Sequence, residues 1–173
     1  IYLNMFLKTN LGTAYIHNFD SLDLKKEIVL FIPGAGMDHR VADLISPNPK
    51  IFNKVLSIDL PGHGGSTPTG SSTIEEYANF ISNCIKEIDI SGVHLCGHSM
   101  GGLVAMELAA SNSKIFKSVT LLNCQYPLYV GSALLDGSSR NLDGAADFLT
   151  KYGIYKLPKI EKPNKTFGAM GSS

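Results

Sequence analysis

Ten residues, Val93-His94-Leu95-Cys96-Gly97-His98-Ser99-Met100-Gly101-Gly102, restrict the fold more than any other part of the chain. An apolar stretch of strand length runs into Gly-x-Ser-x-Gly, and from Ser99 to Ala110 the sequence continues as an apolar helix rich in Gly and Ala. So sharp a strand-to-helix turn has no room for side chains beside the serine. Gly97 and Gly101 remove those that would collide, and the serine backbone is held in a strained conformation with its hydroxyl exposed. The turn also sets Ser99 at a helix N-terminus, where unbonded N–H groups and the helix dipole favour developing negative charge. A Gly-x-Ser-x-Gly string alone arises by chance. Framed by a strand and a helix, it points to a serine nucleophile.

The preceding residues supply matching elements. Thr13 to His17 reads as an early strand, and Glu27 to Ile32 is a β-branched and aromatic run that ends at Pro33-Gly34 and suits a strand buried on both faces. Lys54 to Ile58 repeats the pattern and stops at Asp59-Leu60-Pro61-Gly62-His63-Gly64-Gly65, which forces a loop. Thr73 to Ile88 carries apolar residues at helical spacing, and Thr73 with Glu76 forms a capping box. Ser118 to Leu122 is a further apolar strand. Strands and helices in alternation predict a parallel sheet covered on both sides. After Asn123 the texture changes. Tyr126 to Val130 and Ala133 to Leu135 are apolar without alternation, and a helix is expected from about Asp143 to Tyr152, capped by Asn141 or Asp143. The expected organisation is a core over 1–124 and a lid or cap segment over 125–173. The tail from Phe167 to Ser173 fits either an expression-vector remnant or native lid sequence.

Composition narrows the function classes. With 173 residues and 44% hydrophobic content the chain suits one packed domain, and Lys+Arg 15 against Asp+Glu 15 gives no basic excess for nucleic acid or anionic lipid. Cys84, Cys96 and Cys124 lack zinc-site spacing and read as ordinary buried thiols of a reducing compartment. No metal or organic cofactor is expected. The apolar start Ile-Tyr-Leu-Asn-Met-Phe-Leu is too short for a signal or a membrane span, so a cytoplasmic setting is the default. Either residues precede Ile1 or the true start is Met5.

Gly-His-Ser-Met-Gly-Gly at 97–102 resembles the nucleophile elbow of the α/β-hydrolase family, in particular its esterase, lipase and monoacylglycerol-lipase-like members. The resemblance extends to about Leu122. Asp59-Leu-Pro-Gly-His-Gly-Gly-Ser66 is similar to that family's loop after the next strand, and Phe31-Ile-Pro-Gly-Ala-Gly36 to its oxyanion loop, with Pro33 in place of the usual histidine. The resemblance implies an α/β-hydrolase fold, a mostly parallel sheet with helices on both faces. It implies Ser99 as nucleophile and backbone N–H groups of Ala35 and Met100 as oxyanion hole. A hole of this kind stabilises the tetrahedral oxyanion, each donor contributing roughly 3 kcal/mol. His63 is expected to serve its turn, and His98 to pack or hydrogen-bond rather than catalyse. His17, His39 and His94 show no partner pattern.

In this fold the acid and then the histidine follow the serine, yet no histidine follows Ser99, and Asn123-Cys124-Gln125 stands where some members place an aspartate. A serine without a base is overwhelmingly protonated and a poor nucleophile. The expectation is a truncated hydrolase whose C-terminal strands, acid and histidine lie beyond this chain. Its substrate is then a small ester or related acyl compound with an apolar group. A haloalkane or epoxide is disfavoured, because those relatives carry an aspartate at the place of Ser99. The alternatives left open are a non-catalytic ligand-binding protein of the same fold, and a fragment that needs a second chain carrying the C-terminal half.

Overall fold

In the computed structural model, which describes residues 5–140 apart from 24, 46 and 68, the three apolar runs lie side by side at the centre of one six-stranded sheet. The elements are β1 (Met5–Thr9), β2 (Gly12–His17), β3 (Ile28–Ile32), β4 (Leu56–Ile58), α1 (Ile74–Ile88), β5 (Val93–His98), α2 (Met100–Ser111), β6 (Phe116–Leu122) and α3 (Ser132–Arg140). Strand order is β1-β2-β4-β3-β5-β6. Strand β3 pairs in parallel with β4, Leu30 opposite Leu56, and with β5, Ile32 opposite Gly97. Strand β5 pairs in parallel with β6, His98 opposite Leu122. Parallel neighbours need crossovers, which α1, α2 and, between β3 and β4, the segment holding a 3-10 turn at His39–Leu44 provide, so β3, β4 and β5 all end at the same edge of the sheet. The loops that follow them gather there.

Alternation along the strands divides the core in two. Leu30, Ile32, Leu56, Ile58, Val93 and Leu95 face α1 and α2 and pack with Phe80, Ile81, Ile85, Val104 and Leu108. On the opposite face Phe31, Val55 and Cys96 pack with Ala42 from a 3-10 segment, His39–Leu44. Each such side chain fully buried contributes about 1.5–3 kcal/mol. Helix α1 begins at the expected capping box. Thr73 Oγ1 accepts from the Glu76 N–H at 3.2 Å, and Glu76 Oε2 accepts from the Thr73 and Ser72 N–H groups.

The structure adds β1, which pairs antiparallel with β2 and alternates half-buried Met5, Leu7 and Thr9 with exposed Phe6 and Lys8. Strand β2 is also antiparallel to β4, so this side of the sheet is not parallel. The expected covering on both sides fails at β6, where no described strand lies beyond it and Val119, Leu121 and Leu122 are exposed. Cys84 and Cys96 are buried as expected, burial pushing the Cys84 thiol up to about 12 and raising that of Cys96. Cys124, expected to be buried, is only partly so, because it follows the exposed end of β6. Residues Ile1–Tyr126 form one compact unit and Pro127–Ser173 a second. In the second, Ala133 to Leu135 belong to α3, while the helix expected from Asp143 to Tyr152 lies outside the described residues.

Helix α2 is seated on the end of β3 by glycine. A Cβ on Gly101 would fall on the carbonyl oxygens of Ile32 and Pro33, and one on Gly97 would fall on the carbonyl of Gly101. Helix propensity alone would make Gly101→Ala stabilising by about 1 kcal/mol. The clash is with backbone that cannot move aside, and overpacking typically costs 1–3 kcal/mol or more, so urea denaturation is expected to show a net loss. Thr73→Ala, which removes the cap of α1, is expected to cost about 1 kcal/mol in the same measurement.

Candidate functional site

Ser99 is the N-cap of α2, with φ 52° and ψ −121°. This lies outside the regions a serine ordinarily occupies, and such an outlier costs of order 1–3 kcal/mol. Two backbone bonds hold it: the Ser99 N–H donates to the Leu122 carbonyl at 3.0 Å, and the Gly102 N–H donates to the Ser99 carbonyl at 2.9 Å. Behind the helix turn, a Cβ on Gly102 would stand 2.6 Å from Cys124 Sγ. Among the described residues the Ser99 side chain makes no hydrogen bond to its own helix.

The turn after β3 lies directly against the serine. A Cβ on Gly34 would be 3.2 Å from Ser99 Cβ and 3.0 Å from His98 Nδ1. Two of the turn's N–H groups are taken: Met37 donates to the Gly34 carbonyl at 3.1 Å, and Gly36 donates to His63 Nε2 at 3.1 Å. Among the described residues, the N–H of Ala35 has no acceptor, and neither does that of Met100, the first residue of α2. These are the two groups that the family resemblance implies as donors.

His98 Nδ1 is buried without a hydrogen-bond partner among the described residues, and burial holds its imidazole below the usual histidine range. It packs, as read from the sequence, under the turn at Gly34. His63 serves its turn and also reaches out of it. Its Nδ1 lies 2.9 Å from the Pro61 carbonyl, to which only a protonated nitrogen can donate, which leaves Nε2 to accept from Gly36.

The loop after β4 is organised by Asp59, which is fully buried. Its Oδ1 accepts from the His39 N–H at 2.7 Å and its Oδ2 from the Gly65 N–H at 2.8 Å, while the His39 ring Nδ1 sits 2.9 Å from Oδ2. The His39 ring packs between Tyr15, at 4.4 Å, and His17, at 4.9 Å between centroids. Burial, and then the nearby Asp59, Asp38 and Asp43 carboxylates, push the Tyr15 hydroxyl up. Burial raises Asp38 most strongly, but hydrogen bonds and charge from Arg40 outweigh it together and hold the carboxyl below its ordinary value. Sequence gave His17, His39 and His94 no partners. The structure pairs them with Asp43, Asp59 and Glu27, which are 26, 20 and 67 residues away in the chain. No local signal could have found these pairs. A cavity of about 420 Å³ lined by Lys25, Glu27, Asp89 and Lys117 lies at the opposite ends of β3 and β5 from Ser99. Among the described residues, no group of three His, Cys, Asp or Glu could hold a metal, and no helix is long and apolar enough to cross a membrane.

Three comparisons bear on this arrangement. A dihydrolipoyllysine-residue acetyltransferase component of an acetoin cleaving system from Cupriavidus necator is 37% identical over 114 residues, which are 64% of this chain and 29% of that protein. An (E)-2-((N-methylformamido)methylene)succinate hydrolase from Acinetobacter baylyi is 31% identical over 104 residues, 58% of this chain and 38% of that protein. The solved structure of a hydrolase from Pseudomonas aeruginosa matches with a TM-score of 0.76 at 20% identity, covering 96% of this chain and 66% of that one. At that identity the likeness is one of fold. The chain thus spans well under half the length of these two curated relatives. The profile of the alpha/beta hydrolase family matches residues 29–168, and with the elbow, the adjoining turn and the sheet already in place, the chain belongs to that family.

Proposed function

We propose that this protein is a serine hydrolase that cleaves a carboxylic ester or related acyl compound through an acyl-enzyme on Ser99. The observation that carries the reading is the strained serine at φ 52°, set against Gly34, with the Ala35 and Met100 N–H groups left unbonded on either side of it in sequence. Ser99 Oγ attacks the acyl carbon and gives its proton to a base, and the carbonyl oxygen becomes an oxyanion received by those two N–H groups. The C–O bond to the leaving alcohol then breaks as the alcohol takes the proton. Water attacks the acyl-enzyme, gives a proton to the base, and releases the acid with Ser99 restored.

The proton acceptor in this reading is a group outside the described residues, carried by a further segment or a second chain. His39 and His63 are held in other bonds, and His98 Nδ1 is enclosed. Residues 125–173 begin a lid, and the three free thiols suit a cytoplasmic setting. Comparison with an acetyltransferase component and a hydrolase supports acyl chemistry without choosing the substrate. A second reading, a ligand-binding protein that keeps the fold without turnover, is favoured by one observation: no described histidine hydrogen-bonds to Ser99 Oγ.

A fluorophosphonate separates the two. Intact mass of the natural gene product is expected to rise by one phosphonyl group per chain, with peptide mapping to Ser99 and no gain in Ser99→Ala. A well-folded protein that takes no probe would overturn the hydrolase reading in favour of ligand binding. Because a donor contributes of order 3 kcal/mol, Gly34→Val, which inserts bulk between the turn and Ser99, is expected to slow labelling by about 100-fold or more while total helix content by circular dichroism stays unchanged.

A further inference from the structure

We propose that His63 is a positioning residue for the turn that follows β3: by accepting the Gly36 N–H, it fixes which N–H of Pro33–Met37 is left to receive an oxyanion. The inference rests on the acyl-enzyme reading above and assigns His63 a role within that site.

Three observations meet at this bond. First, the ring is committed as an acceptor. With Nδ1 donating to the Pro61 carbonyl at 2.9 Å, the neutral tautomer leaves the Nε2 lone pair for Gly36 at 3.1 Å. Second, the acceptor stands on a braced turn. The His63 N–H donates to Leu60 and the Ser66 N–H to the His63 carbonyl, while Asp59 accepts from Gly65, so both sides of the ring's attachment are tied to the end of β4. The Tyr77 ring, edge-on at 6.2 Å, flanks the imidazole from α1. Third, the group it holds is one that would otherwise turn. Gly36 has φ 71° and is exposed, and a glycine there populates either sign of φ with little cost.

If the Ala35–Gly36 peptide rotated, the Ala35 carbonyl oxygen would exchange places with the Gly36 N–H. The Gly36 N–H would then be free to compete with that of Ala35 for the developing oxyanion, and the Ala35 carbonyl would be turned towards the His63 lone pair. His63 removes this option by a single bond whose other end is anchored on the loop after a different strand. Pro33, where relatives of this type carry a histidine, limits the turn from its first residue, and His63 limits it from its last. Its role is exerted through the backbone. The ring need not touch substrate.

The test is the kinetics of fluorophosphonate labelling on the natural gene product, with the initial capture constant separated from the maximal rate of bond formation, and the labelled fraction at completion recorded. His63→Ala is expected to lower the maximal rate by about 10- to 100-fold, the scale on which misplaced donors act, with capture and final labelled fraction unchanged. His63→Gln, whose side-chain oxygen reaches the same place as an acceptor, is expected to recover most of that loss. A merely structural role would reduce the labelled fraction or the melting temperature and spare the rate. A ¹⁵N-detected two-bond coupling between the Gly36 amide and His63 Nε2 reads the bond directly and is expected in the wild type. Its absence in the folded wild type, or a His63→Ala rate equal to wild type, would overturn the inference and leave the hydrolase reading standing. A wild type that fails to label at Ser99 would overturn the hydrolase reading, and the inference with it.

Discussion

The contact between the first turn of α2 and the end of β3 governs the geometry of everything around Ser99. Gly101 has the Ile32 and Pro33 carbonyls where its Cβ would be, and Gly97 has the Gly101 carbonyl. Backbone against backbone at this range admits no side chain, so the position of α2 relative to the sheet is fixed by sterics and not by a choice among packings. Because α2 cannot shift, Ser99 and the turn at Gly34 are adjacent. Because Ser99 donates to Leu122, the end of β6 is carried into the same arrangement. The unusual serine backbone costs of order 1–3 kcal/mol. That is about the burial of one large apolar side chain, and Ile32, Leu95, Val104 and Leu108, all fully or almost fully buried, lie on the same three elements. The strain is affordable only while that core stays closed around it.

The loops above the sheet are ordered by a different means. They contain little that is apolar, and their positions come from side chains bonding to backbone across elements: Asp59 to His39 and Gly65, His63 to Gly36, Asp38 to Arg40. Bonds to a buried carboxylate contribute about 1.5–3 kcal/mol each, more than neutral ones. A buried carboxylate left unbonded would be far costlier than its bonds are favourable. Asp59 therefore acts less as a source of stability than as a condition: wherever it is buried, three donors must converge on it. Those donors bring together residues 39, 59 and 65, that is, the segment after β3 and the segment after β4. Gly64 contributes by default, since its φ of 50° and the Asp59 carboxylate at its Cβ position exclude other residues.

What was legible in the sequence follows from the range of the interaction concerned. The capping box at Thr73 and Glu76, the elbow at 97–102 and the turn at Pro33–Gly36 are each complete within a few residues, and each stands where the sequence put it. Strand β1 was legible in principle. Its half-buried and exposed residues alternate with period two, but Asn4 to Phe6 reads equally as an irregular apolar start until its partner β2 is known. The exposure of β6 was legible only through the expectation of absent C-terminal strands, because an apolar strand by itself looks the same whether or not another strand lies beside it. Cys124 shares that reason. The histidine pairs are the clearest case: the nearest partner is 20 residues away and the farthest 67, so no spacing rule applies. His63 falls between. Its bond within the turn is local and its turn was recognised, whereas its bond to Gly36 spans 27 residues and the whole of β4.

Backbone accounting ties these scales together. In folded proteins nearly every N–H finds an acceptor in protein or water, and the segments around Ser99 follow that rule closely. Ser99, Gly102, Gly36 and Met37 each donate to a named acceptor. Of the N–H groups there without a named acceptor, those of Ala35 and Met100 belong to residues that are exposed or half-buried, whereas Gly34 and Gly101 are buried, and so the first two remain open to an arriving ligand. The Met100 N–H is free for a reason internal to the helix, whose first turn has no acceptor of its own. The Ala35 N–H sits in a turn whose next N–H, that of Gly36, is held by a side chain from another loop. One donor is thus supplied by secondary structure alone and the other sits in a turn held by tertiary structure, and it follows that the second is the one a change far from Ser99, in the loop after β4, can disturb.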